Sequence, residues 1–152
     1  MNRLMLIAAA IVFSLKVSGQ NFIATTQADD SIEGLCDTSG TLYVLFPFKE
    51  QVEAECPLSK VQISNRLTSK VQFLKDNPKH KDEGMVRLVI NCKGELVNCV
   101  IDNKTKSPDL DAQIVAIFKD LGTWRAGIYN NDYVDSSLLF SFKIKKGKVT
   151  VN

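Results

Sequence analysis

The sequence has little proline and no apolar run long enough to cross a membrane comfortably. Only 4 of its 152 residues are proline, so no extended proline-rich linker is present. The longest apolar segment, residues 4–15, is shorter than the roughly 20 residues that a transmembrane helix requires. A stable membrane span is therefore not expected.

The apolar segment at the start has the features of a secretory signal. Arg3 gives it a positive beginning, an apolar stretch follows, and the small residues Ser18 and Gly19 end it. This order predicts a cleaved signal peptide over residues 1–19, with an uncleaved anchor as the alternative. We therefore expect export to the periplasm, and association with the outer membrane stays open.

An excess of charge of one sign is also lacking. The chain has 19 basic and 17 acidic residues, and removal of Arg3 and Lys16 with the signal peptide leaves 17 of each sign. Binding to nucleic acid requires a basic surface. The near-neutral balance therefore excludes a nucleic-acid partner.

Motifs that carry catalysis are absent. No G-x-S-x-G, H-E-x-x-H or P-loop pattern occurs. The single histidine, His80, lies in a lysine-rich loop, where a solvated side chain is expected. Asp109 and Asp111 fall in the first turn of a predicted helix, where negative charge is favoured. We expect no enzyme and no cofactor, with a hydrolase that depends on His80 as the alternative.

Four cysteines remain after the signal peptide: Cys36, Cys56, Cys92 and Cys99. An even number in an oxidising compartment allows two disulfides, with three connectivities. Without a C-x-x-C pair, a zinc site is disfavoured. A hairpin pattern places Cys92 and Cys99 apart, which disfavours a bridge between them. Cys36 or Cys56 is the expected partner of one of these two.

The first half of the chain changes from polar to strand and then to helical patterns. Residues 20–39 are polar and are expected to form a flexible lead, and residues 41–46 predict a strand that ends at Pro47. Pro57 suits a first helical turn. Four apolar residues then recur at helical spacing: Ile63, Leu67, Val71 and Leu74. Asn77-Pro78 ends this helix, and a charged loop over residues 78–84 follows.

Residues 85–102 predict a β-hairpin with a two-residue loop at Lys93 and Gly94. That loop gives the following facing pairs: Cys92 with Glu95, Ile90 with Val97, Leu88 with Cys99, and Val86 with Ile101. This register places most apolar side chains on one face, whereas a slip of one residue would reverse every side chain.

A second helix and a last strand complete the pattern. Ser107 and Pro108 form a favourable helix start, and Gly122 suits the helix end. The expected buried stripe is Leu110, Ile114, Ile117, Phe118 and Leu121. The last strand runs from about Tyr133 to Ile144, and alternate residues from Leu138 onward face the core.

This order of elements resembles the C-terminal domain of TonB-type proteins. The likeness covers residues 58–151 and depends on three short motifs: Asn91-Cys92-Lys93-Gly94-Glu95, Leu110-Asp111 and Trp124-Arg125-Ala126-Gly127. The first motif and the ending Phe142-Lys143-Ile144-Lys145-Lys146-Gly147 are similar to TonB-like proteins of Bacteroidetes in particular. Ala126 replaces the family's proline, and the proline-rich linker of TonB is absent.

The resemblance implies an α+β domain over residues 40–152, with a small antiparallel sheet of three to four strands and two helices packed on one face. It also implies that the exposed last strand adds a partner's peptide strand to its edge. The residues that would flank this peptide are Ser137, Leu139, Ser141 and Lys143. Trp124, just after a helix, is expected to close the end of the core.

The expected partner is an envelope protein or a segment of an outer-membrane receptor. Two alternatives stay open. The edge is covered by residues 41–46 or by a second subunit, or the chain is a self-associating assembly protein of the envelope with no transport role.

Overall fold

The computed structural model describes residues 23–28 and 32–152, so the predicted signal peptide over residues 1–19 lies outside the described residues. The elements in chain order are β1 (Ala24–Gln27), β2 (Thr41–Val44), β3 (Gln51–Val52), α1 (Lys60–Lys70), α2 (Gln72–Asp76), β4 (Lys81–Ile90), β5 (Leu96–Asn103), α3 (Pro108–Lys119), β6 (Gly127–Tyr129), β7 (Asp132–Val134), β8 (Ser136–Lys145) and β9 (Lys148–Val151). Within this described part, no helix has the length and apolarity that a bilayer crossing demands.

The strands form two sheets. The larger has six strands in the order β1-β2-β8-β4-β5, and β9 also pairs with β8. β2 runs parallel to β8, whereas the other described pairs are antiparallel. The smaller sheet has the order β3-β6-β7. The expected small antiparallel sheet with two helices is therefore wrong: the fold is a mixed α/β arrangement with two sheets and, among the described residues, three helices.

Local backbone features explain much of this difference. Val71 adopts an extended conformation (φ −71°, ψ 108°) and divides the single predicted helix into α1 and α2. Asn130 and Asn131 have φ of 49° and 70° and join β6 to β7 in a tight hairpin. Asparagine tolerates positive φ, and two such residues form the hairpin turn that suits strand twist. β7 therefore pairs with β6 in the smaller sheet, and the segment expected to be one last strand is divided at Asp135 into β7 and β8.

The core lies between the helices and one face of the large sheet. The fully buried helical residues are Ile63, Leu67, Leu110, Ile114 and Phe118. They pack against alternate residues of β4 and β8: Val86, Leu88, Ile90, Phe140, Phe142 and Ile144. Each such side chain contributes about 1.5–3 kcal/mol by leaving water. The burial of these residues was therefore predicted correctly, whereas Ile117 of the predicted α3 stripe is only partly buried.

Trp124 closes one end of this core, as expected. Its side chain is buried and its ring packs edge-on against Phe140, with 6.0 Å between ring centroids. The backbone N–H of Trp124 donates to the carbonyl of Gly94 in the hairpin turn. Gly94 has φ of 80°, and a side chain there would overlap the Trp124 carbonyl, so the glycine is required at this contact.

Helix starts follow capping chemistry. α1 begins after Ser59, whose side chain and that of Gln62 form a capping box. Pro57 therefore precedes the helix and does not start it, which corrects the sequence expectation. α3 begins at Pro108 after the cap residue Ser107, as predicted.

The β4–β5 hairpin keeps the predicted register away from its turn, with Leu88 opposite Cys99. Next to the turn the register shifts, and Ile90 lies opposite Leu96 instead of Val97. The cause is a turn wider than two residues, organised by the side chain of Asn91.

Asn91 is fully buried and forms this turn through its carboxamide. Its Oδ1 accepts from the N–H groups of Lys93 and Glu95, at 3.0 and 2.9 Å. Its Nδ2 donates to the Glu95 carboxylate and to the carbonyl of Gly34, at 2.7 and 2.8 Å. Asparagine therefore ties the turn to the segment before β2.

Candidate functional site

β8 lies inside the large sheet, with strands on both of its sides. On one side it pairs with β4 over its full length. On the other side, β2 pairs with it at Ser136 and β9 pairs with it from Phe142 to Lys145. Among the described residues, no strand therefore lies beside the outer side of residues 137–141.

The direction of the backbone groups identifies what this interval exposes. Asn152 donates its N–H to the carbonyl of Ser141 at 2.9 Å, so the polar backbone groups of Ser141 point to the outer side. Alternate residues of a strand direct their N–H and C=O to the same side. Leu139 therefore directs both groups into the gap between β2 and β9.

The four residues predicted to flank a peptide lie on the same face of β8 but have different strand neighbours. Lys143 lies opposite Thr150 of β9, so the sheet continues past it. Ser137 and Ser141 lie at the two ends of the gap. Leu139 lies at its middle, and the residue is 57% exposed. Three of the four residues therefore border the gap, and Lys143 does not.

A groove of about 650 Å³ runs along this gap, and we call it the β8 groove. Its walls are residues 44–46, residues 53–60 and residues 136–140. Sites for small ligands have volumes of about 300–1,000 Å³. The β8 groove is therefore large enough for a short extended segment.

The walls of the β8 groove combine apolar and acidic side chains. Leu45 and Ala54 are buried on the apolar side. Glu53 and Glu55 lie on the same wall segment, and the Glu55 carboxylate lies 3.0 Å from Arg125 in an exposed ion pair. Because exposed ion pairs contribute little to stability, a ligand can displace this pair at little cost in free energy. The pair therefore does not close the groove.

Cys56 contributes a free thiol to the wall. Its Sγ accepts from the N–H of Leu58 at 3.4 Å, and burial raises the pKa of this thiol above its ordinary value. Cys99, the other free cysteine, is buried beneath α3, and burial raises its pKa to about 11. Both side chains therefore remain neutral thiols at physiological pH.

The remaining cysteines form a disulfide, Cys36–Cys92, with 6.0 Å between Cα atoms. It joins the segment before β2 to the β4–β5 hairpin, which is one of the connections that the sequence left open. The two sulfurs and the Asp135 carboxylate lie within 4.8 Å of one another. Because the sulfurs are bonded to each other, this group does not offer thiolate ligands to a metal.

Asp135 holds both ends of this disulfide through its carboxylate. The residue is buried and immediately precedes β8. Its Oδ2 accepts from the N–H groups of Cys36 and Asp37, at 2.8 and 2.7 Å, and its Oδ1 accepts from the N–H of Cys92 at 2.8 Å. Its backbone carbonyl also accepts from the N–H of Tyr43 in β2 at 2.9 Å. Asp135 thus fixes the end of the β8 groove that β2 borders.

α1 closes the outer edge of β9, at the other end of the groove. The N–H of Val149 donates to Thr68 Oγ1, and the N–H of Val151 donates to Ser64 Oγ, both at 2.9 Å. These hydroxyls occupy the positions that another strand would otherwise take.

The histidine and the acidic residues considered for catalysis have structural contacts. β4 begins at Lys81, so most of the predicted charged loop is strand. His80 packs edge-on against Phe73, and its Nε2 lies 3.2 Å from the Asp82 carboxylate, so it is not fully solvated. Asp111 accepts from the N–H of Thr105 at 3.0 Å.

Sequence reasoning missed Asp135 and the role of Asn91. A single acidic residue between Val134 and Ser136 has no pattern that distinguishes it from a surface residue. The dipeptide Asn130-Asn131 between β-prone residues is a hairpin signal that was available.

No family model matches the chain, and neither the curated proteins nor the solved structures return a match. The site is therefore interpreted from its own geometry.

Proposed function

We propose that this protein is an exported binding module that adds a partner's extended peptide to β8 within the β8 groove. The observation that carries the proposal is the orientation of Leu139, whose N–H and C=O point into the gap. Backbone polar groups gain from pairing, and an extended peptide supplies the complementary groups. The signal peptide expected over residues 1–19 supports a periplasmic location.

The size of the gap limits the peptide to a short segment. Residues 137–141 span roughly 17 Å at about 3.4 Å per residue. A peptide centred on Leu139 gains two backbone hydrogen bonds there, each contributing about 0.5–1.5 kcal/mol. Affinity beyond this comes from side chains, and alternate peptide side chains would enter the apolar part of the groove, where Leu45 lies.

The walls of the groove favour a peptide over a second folded copy. Residues 44–46 and 53–60 line the groove beside the gap. A single extended chain fits between such walls, whereas an edge strand of a folded copy would bring its neighbouring strands with it. Self-association is therefore the second candidate. The long outer edge of β5, where the strand order ends, is the place at which a second copy would pair instead.

A peptide selection with two matched variants tests the proposal. Random peptides are selected on the wild-type protein, and the affinities of the selected peptides are then measured for Leu139→Pro and Leu139→Ala. Proline removes the N–H that points into the gap, whereas alanine retains it. We expect the proline variant to bind about tenfold more weakly than the alanine variant, which corresponds to one lost hydrogen bond.

Two outcomes would contradict the proposal. Equal affinity of both variants would place the peptides elsewhere, for example on β5. The absence of selected peptides, together with concentration-dependent dimerisation in sedimentation, would favour the self-association candidate.

A further inference from the structure

We infer that the Cys36–Cys92 disulfide is a redox latch that sets the length of the β8 groove, an inference that rests on the proposed function of this groove. The latch acts on residues 32–45, which we call the strap. The strap covers the start of the outer side of β8, and its last residues form one wall of the groove.

Contacts of the strap with the rest of the domain concentrate around the disulfide. Cys36 and Asp37 donate their N–H groups to Asp135, and Gly34 accepts from the Asn91 side chain. These hydrogen bonds and the disulfide all fall within four residues of the strap, 34–37. The disulfide is therefore the covalent link at the site where the strap is hydrogen-bonded to Asp135 and to the β4–β5 turn.

β2 itself has little pairing with β8. One parallel pair, Tyr43 with Ser136, joins the two strands, and the N–H of Tyr43 donates to the carbonyl of Asp135. Leu42 and Leu45 add buried apolar surface. A strand with so few ladder bonds opens locally far more easily than β4, which pairs with β8 over ten residues.

The disulfide is accessible to a reductant from one side. Cys36 is exposed, whereas Cys92 is partly buried. A dithiol reductant attacks Sγ of Cys36, and Cys92 leaves as a thiolate that takes up a proton. The second thiol of the reductant then displaces Cys36 as a thiol, so two electrons and two protons pass from the dithiol, which becomes a disulfide.

Release of the strap changes one end of the β8 groove and not the other. Without the latch, residues 44 and 45 of the strap leave the groove wall, and the carbonyl of Asp135, which accepts from the N–H of Tyr43, becomes open to the groove, so that a longer peptide can pair. The β9 end has no cysteine, and its edge is held by the hydroxyls of Ser64 and Thr68. We therefore expect reduction to act on the β2 end alone.

Amide hydrogen exchange of the free protein tests the latch, with dithiothreitol as the reductant. Oxidised and reduced wild-type proteins are compared by NMR, together with the variant Cys36→Ser/Cys92→Ser. We expect reduction to accelerate exchange of the Tyr43 amide by about tenfold or more beyond any acceleration at Lys143 and Lys145. The double variant should reproduce this result without reductant, and the wild-type comparison stands alone if the variant does not fold.

An unchanged Tyr43 rate would overturn the inference, because the strap would then be held without the disulfide. Equal acceleration at Tyr43, Lys143 and Lys145 would also overturn it, since the strap would then open only when the whole domain unfolds. No peptide is present in this experiment, so its failure is separate from a failure of the proposed peptide binding.

Discussion

Two neighbouring parts of one sheet, the outer edge of β9 and the outer side of β8 at residues 137–141, are completed in opposite ways. At β9, the N–H groups of Val149 and Val151 donate to the hydroxyls of Thr68 and Ser64 on α1. At β8, the N–H and C=O of Leu139 point into a groove, with no strand of the described chain beside them.

The difference is what the proposed recruitment of a peptide by β8 rests on. Unpaired strand edges promote unwanted association, and proteins usually cover them. In this protein, side chains of α1 cover the β9 edge. No strand covers residues 137–141 of β8 among the described residues. The gap in β8 instead opens into a groove lined by residues 44–46 and 53–60, which we propose to hold one extended chain.

The largest expected effect is a difference in the free energy of unfolding between proline variants on the two sides of β8. Leu138→Pro removes an N–H that, by alternation, points toward β4, so it should destabilise the protein by about 2–4 kcal/mol through the lost hydrogen bond and the unpaired acceptor on β4. Leu139→Pro removes an N–H that points into the gap and should destabilise it by only about 1 kcal/mol. Urea unfolding of both variants measures the difference. Equal destabilisation would mean that the Leu139 N–H is already bonded.

The second prediction concerns the strap that borders the gap. The Cys36–Cys92 bridge joins residues 56 apart in sequence, so reduction should lower the free energy of unfolding by about 2–4 kcal/mol. Thermal unfolding with and without dithiothreitol measures this effect. The variant Cys56→Ser serves as the control, because Cys56 is already a free thiol. A thermal midpoint that does not respond to reductant would show that the bridge does not stabilise the domain.

The third prediction concerns the outer edge of β9, which side chains of α1 cover. Ser64→Ala and Thr68→Val each remove one hydroxyl acceptor of β9, and each should destabilise the protein by about 1–2 kcal/mol because a partly buried N–H loses its partner. Ser69→Ala is the matched control on α1, since that hydroxyl donates only to an exposed helical carbonyl. If the control is equally destabilising, helix propensity accounts for the loss and the capping of β9 does not.

The smallest effect is on reactivity and leaves stability unchanged. Because burial raises the pKa of the Cys56 thiol, alkylation by iodoacetamide should be slower than that of an exposed cysteine and should accelerate at pH above the ordinary thiol pKa of about 8.5. Cys99, with a pKa of about 11 and a buried side chain, should not react.

A peptide bound in the β8 groove should slow the reaction of Cys56. Unchanged reactivity with saturating peptide would place the peptide outside the groove.

Periodic elements could be predicted from the sequence, and non-local pairings could not. The stripe of α3 and the Leu88–Cys99 register follow from spacing, since local geometry decides which side chains share a face. The parallel pairing of Tyr43 with Ser136 joins residues far apart in the chain, and the two-residue strand β3 has no period to detect. The prediction of a small antiparallel sheet was therefore wrong, because it did not include these pairings.

Local alternation also predicted part of the candidate site, whereas its non-local contacts were not predictable. Alternation in the last strand identified the face that carries Ser137, Leu139 and Ser141. It did not show that β9 covers Lys143, because that depends on a chain reversal at Gly147 and on pairing after it. The hydrogen bonds of Asp135 to distant N–H groups leave no local signal in the sequence.

Amide hydrogen exchange at Leu139, measured by NMR before and after addition of a selected peptide, tests the central claim most directly. The account predicts that the Leu139 amide of the free monomer exchanges about 100-fold faster than those of Leu138 and Phe140, and that the peptide slows it to their level. A Leu139 amide that is already as protected as its neighbours in the free monomer, or that the peptide leaves unprotected, would contradict the claim that β8 recruits a strand here.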